Sequence, residues 1–538
     1  MNKKLLIALV CVVIVAAGYF LFGQKPAGDK SADSSSEYRD TIIFATNTDI
    51  LTLDPQIQND TTTEQVVRML YNNLLKFDDE GNIVGDLAEE WGPSEDGLTW
   101  TVKLKQGVKF HNGKEMTAAD VKATFERAMH AKAGGLRTTE IIKMFRSVDA
   151  PDKYTVTITT DKPYGPMEAL LCNLSLAVMD AEFIDKYGLD LGSKTEAENG
   201  TGPYKIASWT KDDEVVIERF GDYFDGPAFT QKIVVKPIPE AASRVIALEN
   251  GEVDVIGNIS ANDLATLEKH ESIKVMKVPT ISQRLFRFGC NDPIISKTKV
   301  RQAIVYAIDR QAIIDSLFAG TVYPSTAPLA PVTWGYTNLG EIKRDIEKSK
   351  QYLEQAGAKD SNQDGILEYN GKDLELEILV RTDKPTYARM AELITANLKE
   401  VGIQVVQKSV DTAQFRTISE QERGHVAMLT RATPWGMVMK QGAGVPYMDS
   451  RSKTGMANVN DSAFQELADK MGTSNSDEYA DLVADVQRYY AENVPAIPMY
   501  WDQFIQAYNS EYDNFTVDGT FGLLNMDTWY SITKEVTE

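Results

Sequence analysis

Residues 98–105 alternate between apolar and polar side chains, and this alternation is a clear local signal of structure. The apolar positions are Leu98, Trp100, Val102 and Leu104. The residues between them are threonine or lysine, and a period of two predicts a strand with one buried face. The Asp96-Gly97 pair just before the run predicts a turn.

The pattern changes from period two to a helical period a few residues later. Asn112-Gly113 predicts a second turn, and Thr117 lies three residues ahead of Asp120, which is a helix-capping pattern. The apolar positions that follow are Val121, Phe125 and Met129. We therefore predict a strand, a turn and an amphipathic helix, and nothing in this unit requires catalysis.

Short apolar runs and helical patterns alternate along much of the chain. The spacing predicts a helix over Thr61–Leu75. Further strands are predicted at Thr41–Thr46, Val215–Glu218, Lys232–Lys236, Leu374–Val380 and Val426–Leu429. This alternation predicts a mixed α/β fold in which sheet edges and helix ends surround a cleft.

The N-terminal segment predicts export from the cytoplasm. Lys3 and Lys4 precede an uncharged, mostly apolar run of 18 residues, Leu5–Phe22, which is typical of an export signal with its positive flank inside. We interpret residues 1–23 as a signal peptide or an N-terminal membrane anchor, because the run exceeds a usual signal core and is near the lower limit for spanning a bilayer. Residues 24–40 are polar and Ser-rich, which predicts a flexible tether.

Length and charge limit the class of protein further. The 538 residues suffice for two or more compact units. With 56 basic and 78 acidic residues, the formal net charge is −22, which argues against a nucleic-acid partner.

Cysteines and histidines suggest neither a metal site nor a disulfide framework. The exported region contains Cys172 and Cys290 and no CxxC motif, so one disulfide and two separate thiols both remain open. Four dispersed histidines share no ligand spacing, namely His111, His130, His270 and His425.

Motifs of enzymes are absent from the sequence. There is no GxSxG elbow, no GxxxxGK[ST] loop, no HExxH and no GxGxxG after a strand. Asp360–Gly365 matches the first half of a calcium loop, but the twelfth position is Gly371 instead of a bidentate glutamate, which favours a turn. We expect a protein that is not an enzyme, with no catalytic residue, metal or cofactor.

Several longer segments resemble one protein family in the family's own order. They are Gly85–Val121, the GTGPY segment Gly200–Tyr204, Pro239–Ile256, Val300–Ile314 and Glu492–Tyr500. Asp54-Pro55 and Tyr71–Leu75 also resemble its entry segment. Together these segments resemble the family 5 extracytoplasmic solute-binding proteins, which feed peptide and nickel ABC transporters.

The resemblance implies the arrangement of domains. It implies an α/β, two-lobed periplasmic-binding-protein type II fold with an inserted subdomain in the first lobe. Lobe I would comprise residues 41–289 and 502–538, with the inserted subdomain at about 80–200, and lobe II residues 290–501. The expected hinge lies near Phe288-Gly289-Cys290 and Met499-Tyr500-Trp501.

The same resemblance implies a receptor of an ABC importer that captures short peptides between two closing lobes. Its partners would be a short-peptide or other small-molecule ligand and ABC permease subunits in the membrane, and we expect a monomer. The location would be the periplasm or the outer face of the cell membrane. One alternative is a nickel or metal-chelate binding protein of the same family. An alternative of another class is a membrane-tethered sensor with the same fold.

Candidate ligand-binding residues also follow from the resemblance. Peptide-binding relatives carry an aspartate in the second lobe that pairs with a ligand ammonium group, but Leu429–Gln441 contains no aspartate. Thr433, Trp435 and Gly436 resemble a T-W-G motif of nickel-binding relatives. The full set of candidates is Gln58, Asn59, Arg137, Thr433, Trp435, Gly436 and Met439.

Overall fold

The computed structural model describes most of the chain, with gaps. The described residues are 41–58, 60–78, 82–129, 144–164, 167–290, 292–331, 336–421, 427–432, 462–473, 476–513, 517–518, 523–524 and 533–534. The α-helices in these residues are α1 (Thr61–Leu70), α2 (Ala118–Met129), α3 (Met167–Leu171), α4 (Ala181–Tyr187), α5 (Ala241–Glu249), α6 (Ala261–Leu267), α7 (Thr298–Ala307), α8 (Arg310–Phe318), α9 (Ile346–Gln355), α10 (Pro385–Lys399), α11 (Thr412–Gln421), α12 (Ser462–Thr473) and α13 (Ser476–Asn493).

Short 3₁₀-helices span Leu174–Leu176, Gly188–Asp190 and Thr195–Ala197. The strands are β1 (Thr41–Thr46), β2 (Leu75–Phe77), β3 (Ile83–Gly85), β4 (Ala88–Pro93), β5 (Thr99–Leu104), β6 (Phe145–Asp152), β7 (Thr155–Thr160), β8 (Tyr204–Thr210), β9 (Glu214–Arg219), β10 (Lys232–Pro237), β11 (Val255–Gly257), β12 (Ile273–Arg287), β13 (Val322–Pro324), β14 (Glu368–Tyr369), β15 (Lys372–Asp373), β16 (Glu375–Arg381), β17 (Gln404–Val410), β18 (Ala427–Ala432), β19 (Ala496–Asn509), β20 (Tyr512–Asp513), β21 (Val517–Asp518), β22 (Leu523–Leu524) and β23 (Thr533–Lys534).

One large sheet runs through the described part of the molecule. Its strands are ordered β17-β16-β18-β12-β19-β11-β1-β10-β9-β8, and β13 pairs with β19 beside this path. The two long central strands, β12 and β19, pair with each other antiparallel. We use the name lobe I for the side built on β8 to β11 and β1, and lobe II for the side built on β16 to β18.

Each lobe has its own hydrophobic core on this sheet. In lobe I, Ile42, Phe44 and Leu70 are at most 3% exposed and pack with strands β9 and β10. In lobe II, Phe286 and Ile378 are fully buried against α7 and α10. The amphipathic helices therefore cover sheet faces that would otherwise expose apolar side chains.

A separate four-stranded sheet, in the order β4-β5-β7-β6, packs against α2. The alternation predicted at residues 98–105 is confirmed, since Trp100, Val102 and Leu104 are 5% exposed or less. The predicted cap is also confirmed, because the Thr117 amide and hydroxyl donate to Asp120 Oδ2 at 2.8 and 3.0 Å.

The helix predicted over residues 61–75 is shorter in the structure. α1 begins at Thr61 as predicted but ends at Leu70, and Tyr71 is extended with φ −131°. The Gly202 amide donates to Leu70 O at 2.9 Å. A Cβ at Gly202 would lie 2.4 Å from Met69 O, so the GTGPY segment packs closely against the end of α1.

The Asp360–Gly365 loop forms side-chain turns in the structure. The Gly365 amide donates to Asp360 Oδ2 at 3.1 Å, and the Asp364 amide donates to Asn362 Oδ1 at 2.9 Å. Gly371 has φ +75° between β14 and β15. The turn interpretation therefore accounts for the geometry of this segment.

No disulfide is formed among the described residues, and Cys172 is buried while Cys290 is half-buried. Among the described residues, no helix combines the length and apolar character needed to cross a bilayer. The predicted signal or anchor, residues 1–23, and the tether, residues 24–40, lie outside the described residues.

Candidate functional site

The parallel strands of the two lobes end facing each other. In lobe I, β1 runs parallel to β10 and β11, and the last residue of β11, Gly257, lies opposite Gln506 on β19. In lobe II, β16 runs parallel to β17 and β18, and the last residue of β18, Ala432, lies opposite Gln283 on β12. Both sets of carboxyl ends therefore point toward the middle of the β12 and β19 pair.

Ligands of open α/β sheets bind outside the carboxyl ends of the strands. The candidate site is therefore the cleft between the two carboxyl edges, with the middle of β12 and β19 at its base. We call this middle part, residues 279–284 and 500–503, the crossing.

The crossing contains an irregularity in strand pairing. Pro279 pairs with Gln503 and Gln283 pairs with Trp501, so three residues of β12 lie opposite Asp502 alone. The Ser282 amide donates to Thr280 Oγ1 at 3.1 Å. Extra residues of this kind bend a strand and redirect its side chains.

A charged pair lies at the crossing. Arg284 Nη2 is 2.8 Å from Asp502 Oδ2, and the two side chains are 18% and 32% exposed. Ser282 Oγ donates to Asp502 Oδ2 at 2.8 Å, and Arg284 Nη1 donates to Ser282 Oγ at 3.0 Å. We call Arg284 and Asp502 the crossing pair.

Two tyrosines lie beside the crossing pair. The Arg284 guanidinium is 6.0 Å from the centre of the Tyr500 ring. Burial raises the pKa of Tyr500 well above its ordinary value, and burial also raises the pKa of Tyr387, at the start of α10. Both phenols therefore remain neutral hydrogen-bond donors near pH 7.

A second ion pair lies at the carboxyl end of β16 in lobe II. Arg381 Nε and Nη2 donate to the two oxygens of Asp383 at 2.9 and 2.6 Å. These hydrogen bonds lower the pKa of Asp383 from 3.8 to about 2. The aspartate is therefore ionised throughout the neutral range.

The lobe I side of the cleft contains a cavity of about 310 Å³. We call its lining the lobe I wall, which comprises residues 44–48, 60–62, Gln65, 257–258 and Phe504. Asp60 is its ionisable residue, and Asp60 Oδ1 accepts a hydrogen bond from the Thr63 amide at 2.9 Å as the N-cap of α1. Asp60 Oδ2 is buried and has no hydrogen-bond partner among the described residues, so the wall combines one carboxylate with neutral polar and apolar groups.

Gln65 of the wall and Gln506, which lies opposite Gly257 of the wall, carry buried amide atoms that lack partners within the described residues. Gln65 is 5% exposed, and its Nε2 has no hydrogen-bond partner there. Gln506 is fully buried, and both ends of its amide lack a partner. Buried polar groups in native proteins are nearly always paired, so we expect a ligand or ordered water to complete this wall.

A comparison with protein families gives the class of the molecule. Residues 82–452 match the model described as bacterial extracellular solute-binding proteins, family 5 Middle. The chain belongs to this family.

Individual relatives agree with this family 5 assignment. The chain is 32% identical over 317 residues to the glutathione-binding protein GsiB of Escherichia coli O1:K1 / APEC. That alignment covers 59% of this chain and 61% of the relative, so the matched region spans less than two thirds of the relative's length.

Solved structures share the fold over most of the chain. HbpA2 from Haemophilus parasuis superposes with a TM-score of 0.80 at 24% identity, over 92% of this chain and 100% of that one. NikZ from Campylobacter jejuni in complex with Ni(L-His) gives 0.69 at 23% identity, over 92% and 100%. The prediction of an α/β, two-lobed periplasmic-binding-protein type II fold with an inserted subdomain is confirmed.

Few of the candidate residues of this family 5 protein fall where the structure describes the chain. Gln58 is 6% exposed in the loop before α1, and its Oε1 lacks a partner among the described residues. The other candidates lie outside the described residues, namely Asn59, Arg137, Thr433, Trp435, Gly436 and Met439. Thr433 follows Ala432, whose backbone lies opposite Gln283 at the crossing.

Sequence reasoning missed the crossing pair of this solute-binding protein. Arg284 and Asp502 belong to no motif, and they lie on strands from distant parts of the chain. A signal could have come only from the pairing register of β12 with β19.

Proposed function

We propose that this protein is the extracytoplasmic receptor of an ABC importer and that it binds short peptides between its lobes. The observation that carries the proposal is the convergence of both carboxyl edges on the crossing, in a chain of a solute-binding family. Similarity to a glutathione-binding protein, whose ligand is a tripeptide, favours peptides over other solutes.

Binding would act through closure of the lobes. The two lobes are joined through β12 and β19. The hinge was predicted near Phe288-Gly289-Cys290 and Met499-Tyr500-Trp501, whereas the irregular pairing at residues 279–283 supports a hinge at the crossing, several residues before Phe288 on the first strand. A ligand stabilises the closed form only by its higher affinity for that form. The closed monomer would then deliver its ligand to the permease subunits in the membrane. We also propose that residues 1–23 retain the protein at the membrane.

We also propose the domain boundaries that the resemblance implies, with lobe I at 41–289 and 502–538 and lobe II at 290–501.

The nickel-chelate alternative is supported by the T-W-G resemblance at Thr433, Trp435 and Gly436. If the protein were instead a tethered sensor, no permease or ATPase subunits would purify with it.

Native mass spectrometry of the gently purified protein tests the ligand class. We expect a spread of added masses that disappear on denaturation and that fragment as short peptides. A single adduct with a nickel isotope pattern would instead support the metal-chelate alternative. Retention of neither kind of ligand, together with no binding from a short-peptide mixture, would contradict the proposal.

Truncation of Trp435 tests the predicted site in lobe II. We expect Trp435→Ala to weaken peptide binding about tenfold, as for loss of a large aromatic contact, with unfolding still cooperative. Trp91→Ala is the control, because Trp91 lies in the four-stranded sheet and donates to Glu168 Oε1 at 2.8 Å. Unchanged affinity in Trp435→Ala would remove that residue from the site.

A further inference from the structure

A second cavity lies in lobe II, apart from the cleft between the lobes. Its volume is about 690 Å³, and it is lined by the start of α8, by residues 323–326 and by residues 341–344. We infer that this cavity, which we call the lobe II pocket, binds a small organic carboxylate through the guanidinium of Arg310. The inference concerns a further ligand and does not depend on the function proposed for the cleft.

The lobe II pocket lies away from the carboxyl edge of the lobe II strands. Helix α10 begins at Pro385, just after the carboxyl end of β16. The amide of Asp309, in the pocket lining, donates to Asn397 Oδ1 in the last turn of α10 at 2.9 Å. The helix from Pro385 to Asn397 is about 18 Å long. None of the described lining residues belongs to the lobe I wall or to the crossing, so the pocket is a separate site.

Arg310 lines the pocket and is 9% exposed. Its Nη1 donates to the carbonyl oxygens of Ser325 and Pro498 at 3.1 and 3.0 Å, and its Nη2 donates to Ile342 O at 2.8 Å. A guanidinium has five N–H donors, and no acceptor in the described part of the chain bonds to Nε. The donors that remain are the N–H of Nε and one N–H of Nη2, on neighbouring edges of the group. Two adjacent donors of this kind match the two oxygens of a carboxylate.

Other buried arginines show how a structural guanidinium is satisfied in this protein. Arg244 and Arg301 are 3% and 7% exposed, and both donate to backbone carbonyls as Arg310 does. Each also has an acceptor for Nε, which is Gly257 O at 3.2 Å for Arg244 and Asn493 O at 3.0 Å for Arg301. Neither of the two lines the lobe II pocket. The contrast indicates that the acceptor for Arg310 Nε is a ligand of the pocket.

The buried charge of Arg310 also favours an anion. Burial lowers the pKa of Arg310, and the negative charge of Glu341 opposes this effect. The described hydrogen bonds of Arg310 are to neutral carbonyl oxygens. A buried cation without a counter-ion is costly, and a bound carboxylate would reduce that cost through charge-assisted hydrogen bonds.

The other charged groups of the pocket lining have partners of their own. Asp309 Oδ1 caps α8, where the helix dipole stabilises a negative charge. Glu341 Oε2 lies 3.9 Å from Lys343 Nζ, and both side chains are more than half exposed. Arg344 Nη2 lies 2.8 Å from Glu400 Oε1. The buried guanidinium is therefore the cation of this lining that pairs with no carboxylate among the described residues.

The apolar part of the lining indicates an organic acid in preference to an inorganic anion. Ile314, Met499 and Tyr336 line the same pocket as Arg310. Pockets for small organic molecules usually have volumes of about 300–1,000 Å³, and this pocket falls within that range. The carbon skeleton of the ligand would contact the apolar side chains while its carboxylate binds the guanidinium.

Benzoate and benzamide test the inference on the full-length protein. The two probes have nearly the same shape, but only benzoate carries a carboxylate. In isothermal titration calorimetry at neutral pH and constant ionic strength, we expect benzoate to bind at least about tenfold more tightly, as for one charge-assisted hydrogen bond. Equal affinities, or no binding of benzoate, would overturn the inference. Inorganic phosphate is the third probe, and tighter binding of phosphate than of benzoate would contradict an organic carboxylate.

Two variants locate the bound benzoate. Arg310→Gln removes the charge, so the advantage of benzoate over benzamide should disappear. Thr326→Trp places a large ring in the pocket lining and keeps the guanidinium, so the affinity for both probes should fall at least about tenfold. Arg301→Gln is the matched control, because it removes a buried guanidinium outside the pocket and should keep the preference for benzoate.

Thermal unfolding identifies any variant that does not fold, and a competition experiment on the unmodified protein covers that case. A saturating short peptide should leave benzoate binding unchanged, because the pocket is separate from the cleft. Displacement of benzoate by the peptide, or unchanged benzoate affinity in folded Arg310→Gln, would overturn the inference. Either result would leave peptide reception intact. Absence of peptide binding would contradict the proposed function alone, since the comparison of benzoate with benzamide and the variants remain valid.

Discussion

The lobe I wall and the crossing form adjacent parts of one cleft, but they differ in charge. The wall consists of phenylalanine, alanine, threonine, asparagine, glutamine and glycine positions, and its one carboxylate, Asp60, caps α1 through Oδ1. The crossing carries a partly exposed arginine and aspartate 2.8 Å apart. The wall therefore offers one negative group among neutral ones, whereas the crossing offers both signs of charge.

The largest effect is expected where the scaffold of the wall is disturbed. A Cβ at Gly202 would lie 2.4 Å from Met69 O and 2.5 Å from the Leu70 carbonyl carbon, both in the backbone at the end of α1. We expect Gly202→Ala to lower the free energy of unfolding by about 2–4 kcal/mol, measured by urea denaturation.

Gly221→Ala is the matched control for this substitution, because a Cβ there would meet no atom within 4 Å. It should change the free energy of unfolding by less than about 1 kcal/mol. Similar stability of the two variants would show that the close packing against α1 is unimportant.

Phe504 is one of two aromatic residues that line the lobe I wall, together with Phe44. Phe504→Ala removes apolar surface from the cavity, so affinity should fall about tenfold. Because the contact is apolar, the loss should be similar for short peptides of different net charge. Phe183→Ala is the control, because that half-buried ring on α4 packs beside Tyr187. Equal losses of affinity in Phe504→Ala and Phe183→Ala would show that Phe504 does not contact the ligand.

The cap of α1 connects helix stability with the wall. Asp60→Ala removes the acceptor of the Thr63 amide and should cost about 1 kcal/mol of unfolding free energy. Ser260→Ala removes the cap of α6, where Ser260 Oγ accepts from the Asp263 amide at 3.2 Å. Both variants should lose similar stability in chemical denaturation. Only Asp60→Ala should also weaken ligand binding. If both variants bind the ligand equally well, Asp60 caps the helix but does not contribute to the binding site.

The smallest effect is expected at the ion pair on the edge of lobe II. The Arg381 contact lowers the pKa of Asp383 from 3.8 to about 2. A depressed carboxylate pKa stabilises the folded state above the unfolded pKa, and that contribution is lost as the pH falls toward 2. The stability difference between the unmodified protein and Asp383→Asn should therefore be constant above pH 5 and shrink below pH 4. A difference that does not change with pH would mean that the exposed pair contributes nothing.

Local structure was predictable from the sequence where short-range patterns determine it. The strand at β5 and the cap at Thr117 follow from alternation and from a local hydrogen bond. The end of α1 was not predictable, because Asn72 leaves the helix to contact distant residues. Asn72 Nδ2 donates to Asp86 Oδ1 at 3.1 Å, and Asn72 Oδ1 accepts from Thr201 Oγ1 at 3.1 Å.

The site was less predictable than the fold for a related reason. Ser282 and Asp502 are 220 positions apart in the chain, and they meet because of the register between β12 and β19. Hydrophobic periodicity predicts strands but not which residues of two distant strands lie opposite each other.

The place of β19 in the large sheet has a consequence for the order of folding. β19 lies between β12 and β11, yet it follows both of them in the chain by more than 200 residues. Lobe I therefore cannot complete its sheet until the chain of lobe II has been synthesised. Pairing of such high contact order is slow, and a fragment that ends before residue 496 would leave β11 and β12 with open edges on which other chains could pair.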